Sequence, residues 1–535
     1  MKKLFILVIV FLASDLHAQT FERLTSESFY SCGSQRVIYD SILYFTGSEA
    51  VYEKEIWRTD GTTDETYMLK DINPSGSAEI CCFTVYNSKL YFQATDGTHG
   101  RELWVTDGTA NGTMLIKDLY PGTAHGMPLS FTVFDDYLFF EADDGIHGFE
   151  LWVSDGTSDG TQLFKDINPT GSSYCSDFKA FNDKMYFIAT DGTNGSELWV
   201  TDGTSMGTYM VKDINPGPNH GILFCKVMVE YNGKLYFSAD NGTNGEELWV
   251  TDGTEAGTLL LKDINPGQGN SNPSMYATMV FNNMLYFSAD DGTHGRELWV
   301  TDGTTAGTQL FKDINPAGVS GPGSYIIYNN ELFFIATDGT NGYEMWVSDG
   351  TSEGTHMFGD FNPGGNFMPR NFTNYNNKLY FNADKGDNGY ELWECDGTVE
   401  GTILIAPDIA PGTDPLQSTK LSVYNGSLYF QANYNLAGQE LWKYTTPDYS
   451  DVEETSYQPL ISVYPNPGSG RFYIKSKECS IIHVTVMNLS GQVILTKVVS
   501  GNEDVIDISH CKAGTYVWEV VTDKEIYMIK TVLLK

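Results

Sequence analysis

The sequence predicts an all-β protein, a β-propeller of about nine four-stranded blades followed by a small immunoglobulin-like β-sandwich. Three observations carry this expectation. A Glu-Leu-Trp core, with small variations, recurs around Trp57, Trp104, Trp152, Trp199, Trp249, Trp299, Trp346, Trp393 and Trp442, at separations of 47 to 50 residues. A fixed period in that range signals a solenoid, a propeller or an array. Each unit reads as four short strands broken by three tight reversals, with one longer loop to the next copy, which is what a blade requires. No unit shows the 3.6-residue spacing of an amphipathic helix, and the coils of a parallel β-helix are shorter and need no such reversals.

The fifth unit illustrates the parsing. Residues 226–231 form a short β-rich run that ends at Asn232-Gly233, a hairpin signal because both central residues of a type I′ turn need positive φ. Residues 235–240 alternate with period 2, 241–245 turn, 247–251 form a third strand, and Asp252-Gly253-Thr254 opens a third turn. A fourth strand runs to Ile264 and stops at Asn265-Pro266-Gly267, since proline cannot donate to a ladder. Trp249 and Leu248 point to opposite faces of their strand, so each blade is apolar on both sides. Asp252 and its counterparts Asp60, Asp107, Asp155, Asp202, Asp302, Asp349 and Asp396 start Asp-Gly-Thr turns, where a carboxylate accepts backbone N–H groups.

At the start of the chain, Met1-Lys2-Lys3, an apolar run from Leu4 to Ala13 and Leu16-His17-Ala18 read as a secretory signal peptide over 1–18, cleaved between Ala18 and Gln19 and handled by the Sec machinery. No later apolar run approaches the ~20 residues of a spanning helix. The formal net charge of −37 argues against nucleic-acid or anionic-membrane binding. It favours cations, and turns such as Asp143-Asp144-Gly145 and Asp290-Asp291-Gly292 are candidate Ca²⁺ ligands, although they lack the spacing of a twelve-residue calcium loop. No other cofactor is expected. Eight cysteines are few for 535 residues. Cys32, Cys81/Cys82, Cys175 and Cys225 lie at similar places ahead of first strands, so bridges between neighbouring units and free thiols are both open; Cys395 stands alone.

The ninth unit lacks a fourth strand after Trp442. Residues 20–28 precede the first unit where such a strand would sit, so the sequence predicts ring closure by an N-terminal strand. The repeat region spans 19–447. Residues 448–459 are a polar, acidic linker, and 460–535 carry a different pattern of short alternating strands that indicates a sandwich.

The nine copies resemble the ELWxxDGT repeat of secreted bacterial proteins, carried by 197–204, 247–254 and 297–304 and more loosely by 55–62 and 440–447, over about four fifths of the chain. That resemblance implies secretion and no settled activity. The tail resembles the type A C-terminal sorting domain of type IX secretion, carried by Tyr464, Pro465, Asn466, Pro467, Gly470, Asn488, Gly491, Gly514, Tyr516 and Lys530. This implies a Bacteroidetes-type host, passage through the type IX machinery, and removal of the tail with release or surface attachment.

An enzyme needs an asymmetric constellation. Here the carboxylates recur in nearly every unit, and His99, His147 and His294 share one turn position without metal-ligand spacing. A repeated feature more simply maintains a fold. The expectation is therefore a binding or adhesion protein for an extracellular carbohydrate or protein, with a secreted propeller hydrolase or lyase as the alternative. The loops after each Asn-Pro, such as 217–223 and 267–275, vary most, and Tyr174, Phe224, Tyr276 and Tyr325 either form a binding face there or close the blades.

Overall fold

The structure is a computed structural model. It describes residues 20–446 apart from 27–28, 50–51, 224–226, 387–388, 407–419 and 433–438, and beyond them 461–464, 470–476, 480–488, 493–512, 514–523 and 526–533. Among these residues every regular element is a β-strand. The chain forms two units, Met1–Thr446 and Pro447–Lys535.

The first unit contains nine four-stranded antiparallel sheets, one for each sequence repeat. In eight of them the strands follow in chain order. In the ninth the outer strand is Thr20–Arg23, which pairs antiparallel with Glu440–Thr445, Thr20 opposite Thr445 and Arg23 opposite Trp442. In six of the nine junctions the first strands of successive sheets lie beside one another, which places the first strands at the inner edge of the ring.

The third strand explains how the sheets assemble. Trp104 packs with Ile56 and Phe92 between blades one and two, whereas Leu103 packs with Phe140 and Trp152 between blades two and three. Each Trp thus faces the preceding blade and its Leu, Ile or Met neighbour the following one. Nine interface cores result among the described residues. The one holding Leu24, Phe45, Trp57, Tyr429 and Leu441 joins blade nine to blade one and closes a nine-bladed propeller.

Polar groups tie the blades at fixed points. Asp302 Oδ1 accepts from the Thr304 N–H at 2.8 Å and from its hydroxyl at 2.7 Å, and the same pair recurs at Asp60, Asp107, Asp155, Asp202, Asp252, Asp349 and Asp396. The following Gly303 has φ +93, and a Cβ there would sit 2.6 Å from the Tyr236 hydroxyl of the preceding blade, so glycine is required twice over. Tyrosines at the first hairpin donate to the carbonyl of the next hairpin: Tyr39 to Ser88, Tyr86 to Asp136, Tyr231 to Asn283, Tyr328 to Asn377, Tyr375 to Gly426 and Tyr424 back to Ser41, at 2.5–2.7 Å. The glutamate of each Glu-Leu-Trp core is buried, and in blades one to seven it holds the loop that leaves the fourth strand; Glu102 accepts from Leu119 N–H at 2.7 Å and Gly126 N–H at 2.8 Å. Burial pushes its carboxyl up to about 7 against those hydrogen bonds.

The residue opposite the Leu or Met of the core varies between blades, from Ile188 and Ile335 to Gln93, Ser238 and Asn382, and in blade three it is the carboxyl-bearing Glu141. Glu141 is 9% exposed, and its Oε1 is buried without a hydrogen-bond partner. Burial, and then the nearby Glu150 carboxylate, push it up to about 8.

The second unit is a sandwich. Ile461–Tyr464, Arg471–Ser476 and Glu503–Asp507 form one sheet; Val493–Gly501, Ile481–Asn488, Gly514–Thr522 and Ile526–Leu533 form the other, in that order. Arg471–Ser476 alternates exposed and buried residue by residue, and Phe472 meets Trp518 edge to face with centroids 5.4 Å apart.

Two outcomes follow from this packing. Leu24 is 2% exposed in the closing core, so Leu24→Ala should cost about 2–5 kcal/mol in denaturant unfolding; an unchanged midpoint would contradict the N-terminal closure. Glu141 binds its proton more tightly folded than unfolded. Its contribution is complete below pH 4.5 and lost as the pH rises towards about 8. Relative to Glu141→Gln, the native chain should therefore lose stability across that window, at up to about 1.4 kcal/mol per pH unit, and parallel stability curves would refute the assignment.

Candidate functional site

Departures from the repeat locate the site. Twelve positions separate Pro169 from Phe181 and Pro316 from Tyr328, but fifteen separate Pro216 from Tyr231 and Pro266 from Phe281. The added residues lie in the loops entering blades five and six. There the first strands shrink to Val229–Tyr231 and Met279–Phe281, whereas Ser176–Phe181 and Gly323–Tyr328 have six residues each.

Along these shortened strands runs a groove of about 710 Å³, a volume suited to a small ligand or a short segment of a larger one. Met275 and Tyr276 stand at its loop end, Val229 and Val280 along its floor, and Asn232 and Asn283 at its hairpin end. Glu230 and, from blade four, Lys179 add one charge of each sign. The Tyr276 side chain is 61% exposed. The arrangement offers an aromatic face beside amide donors and acceptors. It contains one carboxylate rather than the pair that glycoside hydrolysis uses.

The other candidate aromatics differ in role. Tyr174 is 48% exposed and stacks on Phe149 with centroids 6.0 Å apart. Tyr325 is not an exposed ring. The left-handed Ser324 (φ 53) sits in a bulge, and Tyr325 turns inward onto Phe334, 5.7 Å between centroids. Phe83, Phe131, Phe178 and Phe372 follow left-handed residues in the same way and pack on the second strand. Phe224 lies outside the described residues.

Repeated ionisable groups are engaged within their own turns. His99, His147 and His294 each place Nδ1 2.7–2.8 Å from the Asp three residues earlier, and hydrogen bonding to that carboxylate raises each imidazole. In the candidate Ca²⁺ turns, Asp144 Oδ1 accepts from the N–H groups of Ile146 and His147, and Asp291 Oδ1 from those of Thr293 and His294. Among the described residues no three His, Cys, Asp or Glu side chains gather as a metal site. Three non-repeated carboxyls are buried among the described residues: Glu141 lies at a blade interface, Glu246 accepts from the Ser238 hydroxyl, and Glu394 accepts from Lys378 Nζ at 2.5 Å and the Tyr380 hydroxyl at 3.1 Å.

The described cysteines Cys81, Cys82, Cys175, Cys395 and Cys511 are free thiols. The Cys32 side chain and Cys225 lie outside the described residues, so neither bridge between units falls within them. The marked tryptophans are all on third strands; Trp57 to Trp393 are buried and Trp442 is partly so. Ala18, Gln19, the linker, Pro465, Asn466, Pro467 and Gly491 are outside the described residues. Tyr464 pairs with Tyr473, Asn488 with Tyr516, Gly514 with Leu533 and Lys530 with Val517. The Tyr516 hydroxyl donates to the Lys512 carbonyl at 2.8 Å. Gly470 has φ +122 and a Cβ there would meet the Ser509 backbone, which explains the glycine.

Residues 462–535 match the family described as the secretion system C-terminal sorting domain. A search of curated proteins finds no match. Among solved structures, PorZ, described as an essential bacterial surface component of the type-IX secretion system of Porphyromonas gingivalis, is similar at 13% identity and TM-score 0.30, over 95% of this chain and 75% of that one. A puromycin hydrolase aligns at 13% identity and TM-score 0.34, over 66% of this chain. Oligopeptidase B from Leishmania major aligns at 8% identity and TM-score 0.39, over 85% of this chain. The chain spans 58% and 54% of those two enzymes' lengths. No helix among the described residues is long and apolar enough to cross a membrane. The C-terminal unit carries a type IX secretion sorting domain, and the protein is exported to the cell surface or the extracellular space.

Proposed function

We propose that the propeller is a non-catalytic binding module displayed outside the cell, and that the groove of blades five and six takes an extracellular carbohydrate. The observation that carries this reading is Tyr276, an exposed ring standing at one end of a groove whose other end is two asparagines. A sugar ring presents an apolar C–H face to an aromatic and hydroxyls to amides, so this lining suits a glycan. The placement of the groove where two loops lengthen supports recruitment of the scaffold there. A single groove carboxylate supports binding over hydrolysis.

The test uses the secreted chain with a panel of polysaccharides, following binding by calorimetry and product release in parallel. Saturable binding without products is expected, and Tyr276→Ala should weaken it by about tenfold or more. Product release lost on changing one non-repeated carboxylate would establish the hydrolase or lyase instead. Binding untouched by Tyr276→Ala would remove this groove from the account. For export, deleting 460–535 should leave a folded propeller in the periplasm; normal levels of the truncated chain in the medium would contradict the role of the tail.

A further inference from the structure

The first strand of blade two, Cys81–Tyr86, begins with two adjacent cysteines. Consecutive side chains on a strand point to opposite faces, so neighbouring thiols ordinarily diverge. Here a bulge intervenes: the register with the second strand shifts between Cys81 and Thr84, and Cys82 adopts φ 65. The bulge sends Phe83 inward onto Phe92, 5.7 Å between centroids, and brings the two sulfurs to 2.8 Å. Other blades build the same bulge with Ser130, Asp177, Ser324 and Asn371, so the fold needs no cysteine at this place.

We propose that Cys81 and Cys82 are a redox site that closes reversibly into a vicinal disulfide once the protein is exported. Both side chains are half-buried, within reach of a small oxidant or reductant. The pair is asymmetric: the contact between the two sulfurs, helped by the Ser130 N–H of blade three, lowers the Cys82 thiol, while the same contact and burial raise Cys81. Cys82 is therefore the attacking thiolate.

The oxidant is a disulfide, small-molecule or protein-borne, of the kind an oxidising compartment supplies. The Cys82 thiolate attacks one of its sulfurs and expels the other as a thiolate, leaving a mixed disulfide. Cys81 then loses its proton and attacks Cys82 Sγ, expelling the second thiolate. The protein gives up two protons and two electrons, and the oxidant is reduced to its two thiols. Adjacent Cα atoms are roughly 3.8 Å apart, short of the usual disulfide range of about 4.4–6.8 Å, so the closed ring is strained and easily reduced. The Cys82 N–H also donates to Gln35 of blade one at 2.7 Å, so the site touches three blades at the inner edge.

The test takes the secreted full-length chain, blocks thiols with iodoacetamide without reductant, and reads the tryptic peptide 71–89 by mass spectrometry. An unalkylated peptide two hydrogens lighter than the dithiol is expected. Brief native treatment with dithiothreitol should convert it to the doubly alkylated form while buried Cys175 and Cys395 stay unlabelled. Cys81→Ser should leave Cys82 as one labelled thiol. Double alkylation without reductant, or a link to the peptide containing Cys32, would overturn the proposal. So would a bond that opens only when Cys175 and Cys395 also become labelled, because it would then be a structural link freed by unfolding.

Discussion

Every sheet in the ring is apolar on both faces, and this constraint governs the rest. A sheet with Trp on one side and Leu on the other cannot be capped by a neighbour on one flank alone. Each added blade buries one face and exposes another, so a row of such blades has two unsatisfied ends. Here the two ends meet, with Trp57 of the first blade against Tyr429 and Leu441 of the last. Closure costs no special residue, because the last interface is built from the same types as the other eight.

A polar framework then fixes spacing where apolar packing is indifferent to small slips. In blades one to seven the glutamate of the core binds backbone N–H groups seventeen or eighteen residues on, as Glu55 does with Ile72 and Asn73. Lysines at the end of the fourth strand reach the next blade; Lys117 and Lys165 donate to the carbonyls of Thr161 and Thr208 at 2.6 Å. Together with the hairpin tyrosines these contacts couple each blade's turns to its neighbour's. The groove of blades five and six lies where loop length departs from the repeat.

Much of this was legible because the repeat announces itself through residues with local causes. Trp and Leu alternate on one strand, Asp-Gly-Thr makes its own turn, and the missing fourth strand of the ninth unit left a gap that residues 20–28 fit. What was not legible depends on partners distant in sequence. The role of the Glu in the Glu-Leu-Trp core needs a loop beyond a whole strand and turn. The left-handed bulge is occupied by Cys, Ser, Asp and Asn in different blades, so no residue type marks it, and for that reason the sequence left Tyr325 open between a binding face and blade closure. The groove did have a signal, the lengthening of two inter-tryptophan intervals to 50 residues, but spacing alone says nothing of which side chains line the space.

The closing strand has a further consequence for how chains meet. Thr20–Arg23 is joined to its own sheet only through the whole ring, and it pairs with a strand more than four hundred positions away. The entropy of bringing such distant segments together is larger than for any hairpin in the ring, though it grows only slowly with length, so this contact forms late. Until it does, Glu440–Thr445 presents an open edge, and the equivalent segment of a second chain matches that edge as well as its own. Crowded, partly folded chains thus have a route to domain-swapped oligomers, while dilute ones close on themselves.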